Sequence, residues 1–179
     1  LAKPAFSGIS LFNYYTDALD FVLRTDPAEV EARLMKMPFA NVPQGLEGAT
    51  NSFATNGIGI AYLVVQITED LDKLGTLRGQ FRLDEATNLV QQISGNLSQA
   101  YTELDQLEQA TLTTGETFKV SLTPLESNLR HSYNEVLDRI GKIRKMLAIF
   151  EELLKSTNLT PEELLRSTEL TLEIQPTVA

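Results

Sequence analysis

The stretch TPLESNLRHSYNEVLDRIGKIRKMLAIFEELLKS, residues 123–156, decides the fold. Its residues Leu129, Tyr133, Val136, Ile140, Ile143, Leu147, Phe150 and Leu154 follow one another at alternating steps of four and three, which places them on one face of a helix. Leu125, Leu137, Met146 and Leu153 widen that stripe beyond what a two-stranded seam needs, so the pattern predicts a core of three or four helices. Thr123-Pro124-Leu125-Glu126 carries a helix-start signal: a capping hydroxyl, a proline at the first helical position and a glutamate placed to reach back.

The same spacing recurs twice upstream. Leu46, Thr50, Phe53, Gly57, Ile60, Val64, Ile67, Leu71 and Leu74 predict a helix over residues 46–78, although Gly48, Gly57 and Gly59 each cost about 1 kcal/mol relative to alanine inside a helix. Ala86, Val90, Ile93, Leu97, Ala100, Leu104 and Leu107 predict another over 83–110. Between these two, GTLRGQ reads as a turn whose Leu77 and Phe81 pack back on the bundle end. TLTTGETFKVSL, residues 111–122, is rich in β-branched residues and reads as a loop with a short extended piece. Helices about 40 to 50 Å long joined by connections this short must run antiparallel.

Two shorter helices precede them, over 11–24 and from Asp26-Pro27-Ala28-Glu29 to Met37, and would fill a fourth position along part of the bundle. PFANVPQG, residues 38–45, is a connection. Thr160-Pro161-Glu162-Glu163 starts a last short helix ending near Arg166. Beyond it, Glu169-Leu170-Thr171-Leu172-Glu173-Ile174 alternates as a half-buried strand does. The expected fold class is therefore all-α: an elongated antiparallel three- to four-helix bundle over 1–166, with a short β-like tail over 167–179 that is an ordered tail or the start of a β-domain.

Composition narrows the function. With 42% hydrophobic and 22% charged residues the chain can bury a core, and 24 acidic against 15 basic residues repel phosphate backbones, which argues against nucleic acid as a partner. The absence of cysteine removes disulfides, thiolate zinc sites and cysteine nucleophiles. No stretch reaches the ~18 consecutive apolar residues of a membrane span, the nearest being GIGIAYLVVQI, residues 57–67, so no direct insertion by these residues is expected. Leu1 in place of Met reads as the mark of a removed leader or of a larger protein.

Few residues offer chemistry. The single histidine, His131, falls opposite the apolar stripe, and a helical di-metal site would need one on each of two helices. Glu69, Asp70 and Asp72 cluster without a calcium-loop pattern and read as a solvated face. No catalytic residue, metal or cofactor is expected. Residues 45–63 are small and polar where large aliphatics are expected, which means close helix approach or a ligand cavity with Asn51, Asn56 and Tyr62 as polar contacts and Phe53 as a wall. The acidic helix over 83–110 should meet the basic one over 123–156, leaving Arg139, Lys142, Arg144 and Lys145 either to pair with it or to form one positive patch. The expectation is a non-enzymatic spacer or protein-interaction module of a larger cell-surface or exported protein, partnered by another protein or by adjacent domains; the alternative is a small-molecule sensor bundle.

Overall fold

The computed structural model describes residues 3–157. The chain forms α1 (Gly8–Leu23), α2 (Pro27–Met35), α3 (Glu47–Gly79), α4 (Leu83–Thr117), a single 3-10 turn (Val120–Leu122) and α5 (Asn128–Ser156). The expected last short helix and the β-like tail lie outside the described residues.

Helix starts follow from side-chain caps. Ser7 accepts from the Ser10 amide at 3.1 Å and Asp26 from the Glu29 amide at 3.2 Å, with Pro27 opening α2 where its missing N–H costs nothing. The start of α5 differs from the expectation by one turn. Ser127, not Thr123, is the cap, accepting from Arg130 N–H at 3.0 Å, and the Ser127 amide closes a turn on the Pro124 carbonyl at 3.0 Å. The Arg130 guanidinium explains why: it donates to the carbonyls of Val120, Ser121 and Thr123 at 3.1, 3.1 and 2.8 Å, holding the 3-10 turn and the residue after it outside α5.

The expected loop over 111–122 is a second correction, since α4 continues to Thr117. Thr111 and Thr114 are fully buried, and their hydroxyls bond back to the carbonyls of Leu107 and Ala110 at 3.0 and 2.8 Å. That arrangement buries two β-branched residues without leaving a polar atom unpaired, so packing overrides propensity. Three helix ends use the left-handed conformation without glycine, at Thr25 (φ 57°), Phe81 (φ 56°) and Lys119 (φ 54°); after the first two, the amides of Asp26 and Arg82 reach the carbonyls of Phe21 and Leu77, each at 3.0 Å.

Contacts between helices fix the topology. Gly59 lies against Glu103 and Asp70 against Gln92, so α3 and α4 run antiparallel from a three-residue turn. Gly115 meets Tyr133 and Tyr101 meets Glu151, so α4 and α5 are antiparallel as well. Gly8 meets Leu129, the ring of Phe12 meets that of Tyr133, and Asp20 meets Arg139, so α1 runs parallel to α5. Helix α2 folds back on α1 through Arg33, which pairs with Asp17 and sits over the Phe21 ring at 4.6 Å. Through Leu34 and Glu31 it also lies against Gly57 and Tyr62 of α3. The result is an all-α bundle in which α3, α4, α5 and α1 surround one core, with α2 covering the first half of α3.

The core runs the length of the helices. Phe53, Ile60, Val64, Ile67 and Leu74 from α3 meet Ile93, Leu97, Ala100, Leu104 and Leu107 from α4, and Val136, Ile140, Ile143 and Leu147 from α5. A further tie closes one end, where Phe6 packs on Phe39 and Phe118 and the Ala40 amide donates to the Pro4 carbonyl at 3.1 Å. Two residues assigned to the widened stripe are not in the core: Leu125 is 77% exposed and Leu153 49% exposed. Phe81, expected to pack back on the bundle end, is also exposed, at the left-handed residue that closes the helix end, whereas Leu77 is buried. Among the described residues no helix is long and apolar enough to cross a membrane.

Candidate functional site

The glycine- and asparagine-rich first half of α3 is packed from two sides. A Cβ at Gly57 would stand 2.7 Å from Leu34 Cδ1 of α2, and one at Gly59 would overlap the Glu103 carboxylate of α4. The small residues therefore make room for neighbouring side chains, which occupy the space a ligand would need. Burial against that helix raises the pKa of Glu103 above the ordinary glutamate value.

The four residues considered for a cavity do not converge. Phe53 is fully buried and stacks on Tyr15, with ring centroids 3.6 Å apart and planes 8° from parallel. Asn56 turns back on its own helix, donating to the Ser52 carbonyl at 2.8 Å and the Ser52 hydroxyl at 3.1 Å. Tyr62 is exposed and donates its hydroxyl to Glu31 of α2, a bond that raises its pKa. Asn51 alone borders a hollow, of about 100 Å³, shared with Tyr14 and Tyr15 of α1, Leu34 and Met35 of α2, and Met37, Thr50 and Ala54. That is small beside the ~300 Å³ at which ordinary ligand pockets begin. The Tyr15 hydroxyl is buried with no hydrogen-bond partner among the described residues, and burial pushes its pKa well up.

The basic residues of α5 separate into three environments. Arg144 meets α4, donating to Asp105 at 3.1 Å and Glu108 at 2.6 Å, which realises the acidic-against-basic pairing. Arg139 turns the other way, to Asp20 of α1 at 3.1 Å and to Glu135 of its own helix. Lys142 stands 3.3 Å from Asp138, and Lys145 is exposed with no ion-pair partner among the described residues. They do not form one patch. His131 is exposed, its Nε2 3.8 Å from Glu135.

The acidic cluster also divides. Glu69 and Asp72 face solvent, whereas Asp70 is buried and accepts from Gln66 Nε2 at 2.9 Å and Gln92 Nε2 at 3.1 Å. The second of these bonds crosses to α4 and fixes the register of the hairpin, a use of buried polarity known from helical seams. Among the described residues no group of three His, Cys, Asp or Glu side chains is placed to hold a metal.

A surface the sequence reading missed lies on the outside of α5. Ile149 is 59% exposed and Leu153 49%, one turn apart and directed away from the buried Ile143 and Leu147. With Ala148, Glu152 and Ser156 they line a shallow apolar groove of about 400 Å³. The signal was only partly present in the spacing: at 100° per residue position 149 falls nearly opposite position 147, whereas position 153 lies about 80° from position 143, at the edge of the apolar stripe. Compared with protein-family models, curated proteins and solved structures, the chain matches none.

Proposed function

We propose that the chain is a non-enzymatic helical-bundle spacer and protein-interaction module of a larger cell-surface or exported protein. One observation carries the reading. Helices α3 and α4, of 33 and 35 residues, pair antiparallel as a continuous hairpin about 50 Å long. A hairpin of that kind, stiffened by α5 and α1 and locked in register by Asp70 and Gln92, holds its two ends at a set separation.

The polar side chains support the same reading. Arg33, Arg139 and Arg144 are engaged in inter-helix pairs, and Arg130 in binding backbone carbonyls, so the groups best able to act on a substrate hold the bundle together. The turn at Gln80 and Phe81 is the far end of the rod and is exposed.

The surface location is tested there. An epitope inserted after Gln80 in the full-length gene product is expected to bind antibody on intact cells, or in the medium if the protein is exported. Labelling seen only after cells are permeabilised would overturn the proposal.

A further inference from the structure

We infer that the outer face of α5 is a contact between two copies of this chain, paired antiparallel about a two-fold axis that passes between Ala148 and Ile149. The face carries Gly141, Lys145, Ala148, Ile149, Glu152 and Ser156 within four helical turns. Its pattern is self-complementary, as a two-fold contact requires. In that register Ala148 of one copy lies opposite Ile149 of the other, and Lys145 opposite Glu152, each twice. Gly141 and Ser156, both small, oppose each other at the two edges, where they let the helices approach.

Three features of the isolated chain fit. Lys145 has no ion-pair partner among the described residues, and Glu152 has only Lys155, at 4.0 Å. Among the described residues a Cβ at Gly141 would meet nothing within 4 Å, so the face is open at that edge. Ile149 and Leu153 line the groove and are exposed, and in this register Leu153 covers the aliphatic stem of the second copy's Lys145. An exposed apolar pair flanked by opposite charges at matching distance from one centre fits a second copy better than an unrelated protein, whose charges would have to reproduce the same palindrome. The contact is short, so the dimer belongs to the weak, small-interface class.

This inference deepens the interaction-module reading and rests on it. The test is analytical ultracentrifugation of the full chain up to about 0.5 mM, the range in which small interfaces associate. The wild type is expected to dimerise in a concentration-dependent way, and Ile149→Lys to weaken dimerisation at least tenfold, which is roughly the loss for one buried apolar anchor. Lys145→Glu and Glu152→Lys should each weaken it, and the double exchange should restore it. All these positions are exposed, and thermal melts check that each variant stays folded. A wild type that remains monomeric, a dimer indifferent to Ile149→Lys, or a double exchange without rescue overturns the contact. A monomer would leave the spacer reading to the antibody experiment, so the two can fail separately.

Discussion

Phe53→Ala is expected to cost about 3 to 5 kcal/mol of folding stability, the range for truncating a fully buried phenylalanine. The ring has no solvent exposure and lies face to face with Tyr15, so the change removes both its own buried area and the surface on which Tyr15 rests. The cavity would open where α1, α3 and the hollow at Asn51 meet, at the half of α3 already weakened by Gly57 and Gly59. For a chain of this length the melting temperature should fall by roughly 6 to 20 °C. Tyr15→Phe is the internal control. Its hydroxyl is buried without a partner among the described residues, so deleting it should leave stability within about 1 kcal/mol of the parent or raise it. A Phe53→Ala protein that melts within a degree or two of the parent would mean that α1 is not docked on α3 as described.

Gly115→Val should cost about 1 to 3 kcal/mol, as inserting atoms into a filled core does. A Cβ at this position would stand 2.6 Å from Cε1 and 3.0 Å from Cζ of Tyr133. That ring is held edge-on by Phe12, with centroids 5.3 Å apart, so moving it disturbs the α1–α5 contact as well. Losing a helical glycine returns less than about 1 kcal/mol, because valine is itself a modest helix former. Urea denaturation would show a lower midpoint. An unchanged or higher one would mean that α4 does not extend along the start of α5.

The three long helices were legible because their apolar residues keep one rhythm, and burial follows it: Val136, Ile140, Ile143 and Leu147 in α5, and Ile93, Leu97, Ala100, Leu104 and Leu107 in α4. The end of α4 was not. Its Thr111-to-Thr117 run has the composition of a loop, and it becomes helix only because Tyr133 and the rest of α5 bury its inner side. The start of α5 was displaced for a related reason. Thr123-Pro124 has the local chemistry of a cap, but Arg130 lies one helical turn past the true cap at Ser127 and returns to stabilise the turn instead. Leu125 and Leu153 were assigned to the core because a stripe on one helix does not say where its neighbours stand.

Candidate sites were less legible than the fold. Small residues mark a close approach, and whether a ligand or a side chain fills the space depends on Leu34 and Glu103, which arrive from distant parts of the sequence. Phe53 looked like a wall because nothing around it in the sequence announces Tyr15. Charge was legible in part: Arg144 does meet α4, whereas Arg139 finds Asp20 on a helix that the acidic-against-basic comparison left out.

Helix α3 is one unbroken strut despite its glycines, and the absence of native cysteine makes its length directly measurable. Spin labels on Glu47→Cys and Arg78→Cys, both exposed and at the two ends of α3, read its length by pulsed electron resonance. At about 1.5 Å per residue the labels should give a single narrow distribution centred near 47 Å. A broad distribution, or one centred well below that distance, would show that the helix breaks in its Gly48–Gly59 half and would contradict the spacer.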